Sequence, residues 1–60
     1  MTDDAKAVAR ALKDTPQPAH ELRVATGLSH ERLYTALVWL ESMGEALLHS
    51  TGRGVAWEAA

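Results

Sequence analysis

A short turn at residues 26–29, Thr-Gly-Leu-Ser, separates two segments of helical periodicity and constrains the fold more than any other feature of the sequence. Gly27 allows the positive φ angle at which a helix can end, because it has no Cβ to clash with the backbone. Ser29 is a good N-cap, because its hydroxyl accepts a hydrogen bond from the first turn of the following helix. The sequence therefore predicts two helices joined by a tight turn.

The length of the chain, 60 residues, predicts a single domain over residues 1–60. A domain this small buries only about 60% of the surface of its unfolded chain, so its stability is marginal. The chain has no cysteine, which excludes a disulfide or a thiolate metal site as a source of stability. Close helix packing or a partner chain must supply that stability instead.

Charge and hydropathy narrow the functional classes. Six Lys and Arg residues against eight Asp and Glu give a net charge of −2, whereas a typical nucleic-acid-binding domain is strongly basic. No apolar run approaches the roughly 18 residues of a membrane-spanning helix, and the polar start Thr2-Asp3-Asp4 is unlike a signal peptide. We therefore expect a soluble, cytoplasmic protein without a membrane partner, and no tight nonspecific binding to DNA.

Two helices are predicted before and up to the turn. The first spans residues 4–14 and ends before Pro16, because the residue preceding a proline is disfavoured in the α conformation. Residues 16–18 then form a stiff connector, and the second helix begins near Pro18 or Ala19. The buried stripes expected at helical spacing are Ala5, Val8, Ala9 and Leu12 in the first helix, and Ala19, Leu22 and Ala25 in the second.

The third helix is predicted to begin at the Ser29 cap and to reach Ser42 or Met43. Gly44 closes it, at the position after a helix where glycine is favoured. Leu28, in the turn, is expected to pack beneath this helix. Its expected core stripe is Leu33, Ala36, Leu37 and Leu40.

Two short strands are predicted after the helices, at residues 46–49 and 55–58. Residues 50–54, Ser-Thr-Gly-Arg-Gly, join them as a glycine-rich hairpin loop. Because side chains alternate between the two faces of a strand, the expected core-facing residues are Ala46, Leu48, Val55 and Trp57. The predicted fold class is therefore mainly α with a small β-hairpin (α+β).

The caps, the turn and the glycine-tipped hairpin occur together at Glu21-Leu22, Thr26-Gly27-Leu28-Ser29, Leu33, Leu37, Leu40-Glu41, Met43-Gly44 and Gly52-Arg53-Gly54. On these residues the chain resembles a three-helix winged helix-turn-helix domain over nearly all of its length. The pattern is typical of small bacterial and phage regulators, and also of protein-interaction modules that have lost DNA binding. The resemblance implies that the third helix enters the major groove of double-stranded DNA and that the hairpin, the wing, touches the backbone or the minor groove.

Six residues are candidates for DNA contact on this resemblance: Ser29, His30, Arg32, Tyr34, Thr35 and Arg53. Ser29 and the first-turn amides would hold a phosphate, and the arginines suit phosphates and base edges because their fork makes paired hydrogen bonds. Each candidate also has a structural interpretation, since Ser29 is first of all a cap and both arginines can be solvated charges. Glu31 suits the positive end of the helix dipole but would repel phosphate.

The first helix carries a row of basic residues. Lys6, Arg10 and Lys13 recur at spacings of four and three, so they share one face of the helix. This face is either solvated or a stripe that contacts phosphates beside the groove.

Val38 and Trp39 stand where winged-helix proteins usually carry polar residues, and with Met43 they widen the apolar arc of the third helix. Exposed clusters of large apolar groups mark interfaces, and tryptophan is enriched among binding hot spots. These three residues therefore predict a protein interface, in a homodimer or with another protein, unless Trp39 folds over the side of the domain.

The sequence offers no pattern of catalytic chemistry. His20, His30 and His49 are scattered, with no i,i+4 pair and no cysteine to complete a tetrahedral site, so no metal site is expected. With no glycine-rich phosphate loop and no nucleophile elbow, we expect no enzyme, no cofactor and no small-molecule substrate. Two hypotheses stay open: a small DNA-binding transcriptional regulator, acting as a dimer, and a protein-interaction or dimerisation module on the same scaffold.

Overall fold

The computed structural model describes residues 2–60 and contains three helices and a small antiparallel sheet, an α+β arrangement. The elements follow one another as α1 (Asp3–Ala11), β1 (Gln17–Pro18), α2 (Ala19–Thr26), α3 (His30–Ser42), β2 (Ala46–Thr51) and β3 (Gly54–Ala59). The strand order in the sheet is β1-β3-β2, so β3 is central. Helices α2 and α3 pack against this sheet, α1 packs against α2 and α3, and the core lies between these elements.

Helix α1 begins at Asp3, one residue before the predicted start, and ends earlier than predicted. The Thr2 hydroxyl accepts a hydrogen bond from the Ala5 amide at 3.1 Å. The helix stops at Ala11, not at residue 14, because Leu12 adopts extended backbone angles and turns its side chain into the core. The next residue, Lys13, accepts a hydrogen bond at its carbonyl from the Ala59 amide at 2.8 Å. The backbone after α1 is therefore bonded to β3 and does not continue the helix.

The predicted stiff connector at residues 16–18 is wrong in part, because Gln17 and Pro18 form the edge strand β1. Gln17 lies opposite Trp57 and Pro18 opposite Ala56 in an antiparallel ladder. Proline is tolerated there because an edge strand has one side without ladder hydrogen bonds. Gln17 is buried, and its Oε1 atom and the Trp57 Nε1 atom have no hydrogen-bond partner within residues 2–60.

The predicted turn between α2 and α3 is confirmed. Gly27 has a φ of 73°, and its amide donates to the Arg23 carbonyl at 2.8 Å. The Thr26 hydroxyl donates to the Leu22 carbonyl at 2.8 Å. The Ser29 hydroxyl then caps α3 by accepting a hydrogen bond from the Arg32 amide at 3.3 Å.

The predicted end of α3 is also confirmed. Gly44, with a φ of 76°, donates to the Glu41 carbonyl at 3.0 Å, and the Glu45 amide donates to the Leu40 carbonyl at 2.8 Å. This pair of bonds is a Schellman motif, which satisfies the last carbonyls of the helix and directs the chain into β2.

The core contains most of the residues that the periodicity predicts. Ala9 and Ala25 are exceptions, because both are exposed on the outer sides of short helices whose buried stripes are narrow. Leu28 is half-buried against the core, as expected. The buried core residues are Ala5, Val8, Leu12, Leu22, Leu33, Ala36, Leu37, Leu40, Ala46 and Trp57.

The hairpin is longer than predicted, and the half nearer its turn contributes no residue to the hydrophobic core. Thr51 lies opposite Gly54, so the strands are joined by only two residues. Trp57 is buried as expected, whereas Leu48 and Val55, on the same face of the sheet, are 43% and 39% exposed. The expectation that all core-facing hairpin residues cover the helices is therefore wrong for these two, because on this face only Ala46 and Trp57 belong to the buried core.

Candidate nucleic-acid interface

The outward side of α3 is the first element of the candidate interface. Glu31, Thr35, Val38 and Ser42 are all exposed, as expected for a ridge opposite the buried leucines. Ser29 and His30, at the start of this helix, are exposed as well. The start of α3, which is the positive end of its helix dipole, is therefore exposed, and the Arg32 amide of its first turn is bonded to the Ser29 hydroxyl.

Arg32 is held by a carboxylate from a distant part of the chain. Its Nε donates to Asp4 Oδ2 at 2.9 Å and its Nη2 to Asp4 Oδ1 at 2.5 Å, a fork-like contact between the first turns of α3 and α1. The Arg32 side chain is still 63% exposed, against 26% for Asp4. The hydrogen bond from Arg32 lowers the pKa of Asp4 and correspondingly raises the pKa of Arg32.

Sequence reasoning missed Asp4 as part of this site. The two residues are 28 positions apart, and an aspartate in the first turn of a helix already has a local role at the helix dipole. The Asp4–Arg32 pair forms because α1 packs against α3. This packing cannot be predicted from residues close together in the sequence.

Tyr34 lies on α3 between two other aromatic side chains, His30 and Trp57. Its ring lies 4.5 Å from the ring of His30 and 6.2 Å from that of Trp57, the second in an edge-to-face arrangement. Tyr34 is half-buried against the core, so its ring is fixed while His30 beside it is exposed. The structure thus brings His30 and Tyr34 together on the side of α3 that faces the sheet.

Arg53 is at the exposed tip of the hairpin. Its amide donates to the Thr51 hydroxyl at 3.2 Å, and the same hydroxyl donates to the Gly54 carbonyl at 3.0 Å. The turn backbone is therefore fixed by Thr51. No carboxylate among the residues that the structure describes forms an ion pair with the Arg53 guanidinium.

The C-terminal half of α3 exposes the apolar residues that the sequence singles out. Val38, Trp39 and Met43 are 56%, 38% and 59% exposed, and we call them the α3 apolar patch. Trp39 also lines a groove with Asp4 and Arg32, between α3 and the start of α1. It therefore covers part of the domain and still leaves more than a third of its surface to solvent.

The charges on α3 are unfavourable for phosphate. Glu31 and Glu41 are exposed, and the basic residue of this helix, Arg32, is paired with Asp4.

Lys6 and Arg10 of the predicted basic row are exposed on α1, whereas Lys13 lies beyond the end of this helix, where its carbonyl accepts from the Ala59 amide. The prediction that the three basic residues share one helix face is therefore wrong for Lys13, because the helix ends before it.

No further kind of site is evident in the described part of the chain. Among residues 2–60, no group of three His, Cys, Asp or Glu side chains lies close enough to hold a metal ion. None of the three helices is both long and apolar enough to cross a lipid bilayer.

Comparison of the chain with models of protein families, with curated proteins and with solved structures found no match.

Proposed function

We propose that this chain is a small winged helix-turn-helix protein that binds duplex DNA and regulates transcription. In this proposal α3 is the recognition helix and the β2–β3 hairpin is the wing. The observation that carries the proposal is the joint between α2 and α3, where Gly27 and Ser29 hold an outward helix on a tight turn, followed directly by a hairpin with an arginine at its tip.

The start of α3 would supply the contacts that position DNA. The Ser29 hydroxyl and the backbone amides at the exposed start of α3 suit a phosphate at the positive end of the helix dipole. Behind them, Thr35 lies on the exposed ridge and would approach base edges in the major groove. His30 and the Tyr34 hydroxyl would flank that contact on the side of the sheet.

Arg53 would supply the contact made by the wing. It lies on a turn whose backbone is fixed by Thr51, and no described residue neutralises its charge. A guanidinium presented in this way suits a phosphate or the narrow minor groove.

Arg32 would contact DNA only after exchanging Asp4 for phosphate. The exchange replaces one charge-assisted hydrogen-bonded pair with another, so its free-energy cost is small when a phosphate lies next to Arg32. The Arg32 side chain is exposed and can therefore reorient toward the phosphate. Because few cations are involved, binding should be weak for a monomer and strongly dependent on salt.

The experiment is a fluorescence-anisotropy titration of duplex DNA at about 50 and 200 mM salt. Arg53→Ala and Arg32→Ala are compared with the matched control Arg10→Ala, which removes the same charge from an exposed position on α1. The proposal predicts that the first two variants weaken binding more than the control does and flatten the salt dependence by about one phosphate contact each. Absence of binding at low salt contradicts the proposal, and equal losses in all three variants contradict the assigned site.

A second candidate function, a protein-interaction module, is favoured by the α3 apolar patch and by the acidic, Arg32-paired surface around it. Large apolar side chains left exposed in this way are typical of protein interfaces. If the wild type fails to bind DNA, this function predicts that Trp39→Ala weakens association with a protein, whereas Arg53→Ala has no effect.

A further inference from the structure

The two outer edges of the sheet differ in how well they are protected. Edge strands expose unpaired backbone groups that can pair with another chain, and proteins blunt them with proline, short length, lysine or bulges. Strand β1 has two residues, one of them Pro18, and follows Pro16. Strand β2 has six residues with no proline and no lysine, and its register with β3 runs from Ala46 to Thr51 without a bulge.

The alternation of hydrogen-bonded and non-bonded residue pairs along the β2–β3 hairpin shows which backbone N–H and C=O groups of β2 point away from β3. The Ala60 amide donates to the Glu45 carbonyl at 3.3 Å, and the tight turn closes at Thr51 and Gly54. Because bonded and non-bonded pairs alternate in an antiparallel ladder, the backbone groups of Leu47 and His49 point toward β3. Those of Ala46, Leu48 and Ser50 point away from it, on an edge with which no other described strand pairs.

The side chains of β2 add apolar surface to this edge. Leu47 and Leu48 are 47% and 43% exposed on opposite faces of the sheet. The strand contains no Asp, Glu, Lys or Arg, and its histidine, His49, is bonded to Glu58 of β3 at 2.7 Å. Nothing on this edge would repel an identical strand.

We propose that β2 pairs with β2 of a second copy of the chain, antiparallel and about a two-fold axis through Leu48. The outward N–H and C=O groups of Leu48 then bond the same groups of the partner copy, and those of Ala46 bond Ser50 of the partner copy. Two Leu48 side chains face each other across the axis, and no like charges are opposed. The three-stranded sheet of each copy continues into that of the other.

A second copy fits this edge better than a foreign chain, because the edge is complementary to itself. An isologous contact requires that the same groups lie on both sides of the axis, and Leu48, at the centre of the axis, has both its donor and its acceptor outward. The contact buries less than the roughly 800 Å² per partner of a standard interface, so dimer formation depends on protein concentration. This proposal does not rest on DNA binding.

The test is amide hydrogen exchange followed by NMR at two protein concentrations, with sedimentation on the same samples. At low concentration the Leu47 and His49 amides, bonded to β3, exchange slowly and the Leu48 and Ser50 amides exchange fast. The proposal predicts that the Leu48 and Ser50 amides become protected as the sedimenting mass rises to that of a dimer. A dimer that leaves these two amides unprotected, or a chain that stays monomeric up to about 1 mM, overturns it.

A matched pair of variants tests the same contact through the side chains. Leu48→Lys places two like charges at the two-fold axis, whereas Val55→Lys adds the same charge to a residue of similar exposure on the same face of the central strand β3. We expect Leu48→Lys to weaken dimerisation at least about tenfold and Val55→Lys to leave it near the wild-type value. If Leu48→Lys dimerises like the wild type, or if Trp39→Ala is the substitution that abolishes the dimer, the β2 contact is wrong.

Discussion

Asp4 and Arg32 connect the stability of the domain to its proposed binding surface. Their paired hydrogen bonds join the start of α1 to the start of α3. The same bonds engage the basic side chain of α3, where Glu31 and Glu41 are exposed. Asp4 therefore competes with any anion for Arg32.

Removing this competitor should strengthen DNA binding. We predict that Asp4→Asn raises the affinity for duplex DNA at low salt more than Asp3→Asn does. Both variants remove one negative charge from the first turn of α1, but only Asp4 is bonded to Arg32. Anisotropy titrations of the two variants measure the difference, and equal gains would show that Arg32 takes no part in binding.

The lowered pKa of Asp4 also predicts a dependence of stability on pH. Because folding lowers this pKa below its ordinary value of about 3.9, the unfolded chain binds the proton more tightly. The stabilisation that the Asp4–Arg32 pair contributes is therefore fully present above about pH 4. It is lost as the pH falls through the lowered pKa that Asp4 has in the folded chain.

We predict that the difference in unfolding free energy between wild type and Asp4→Asn is largest near pH 7 and closes in acid. Urea denaturation at a series of pH values measures it. In an Arg32→Gln background the difference should be smaller and flatter, because the main cause of the pKa shift is gone. A difference that is unchanged by pH in the wild-type background would mean that the pair does not form in solution.

At the scale of the elements, local signals predict the helices well. The Ser29 cap, Gly27 and Gly44 lie where the sequence places them, because each acts through bonds within a few residues. The end of α1 and the strand β1 were not predictable in this way. Both depend on β3, whose residues pair with Lys13 and Gln17 across most of the length of the chain.

The hairpin shows the same division. Its strands and glycine-rich turn are encoded locally, but the exposure of Leu48 and Val55 depends on how far the packed core reaches along the hairpin. The alternation of bonded and non-bonded pairs that leaves the Leu48 backbone groups outward is likewise a property of the assembled ladder.

Gly27 gives a prediction for the joint between α2 and α3. Gly27→Ala should destabilise the domain by about 1–2 kcal/mol, because alanine is disfavoured at a φ of 73°. Nothing within 4 Å would meet the added Cβ, so the cost is one of backbone conformation. The measurement is the free energy of unfolding in urea.

Gly52→Ala is the matched control. Gly52 does not have a positive φ, and its added Cβ would also meet nothing within 4 Å. We expect its stability to stay near that of the wild type. Equal effects of the two substitutions would mean that the left-handed conformation of Gly27 is not required by the fold.

At the scale of the whole molecule, distinct surfaces surround one small core. The start of α3 and the tip of the hairpin form the proposed DNA surface, Lys6 and Arg10 are exposed on α1, and the β2 edge is open for a second copy. A dimer through β2 would double the few basic contacts that one chain offers, and salt-dependent affinity rises with the number of phosphates neutralised.

The most direct test of the proposed DNA surface is an NMR titration of the labelled chain with duplex DNA at low salt. We predict that the amide shifts concentrate in residues 29–35 and at the hairpin turn, residues 52–53, and that they shrink as salt is raised. Shifts confined to α1 around Lys6 and Arg10, or no shifts at any DNA concentration, would contradict the claim that α3 and the hairpin bind DNA.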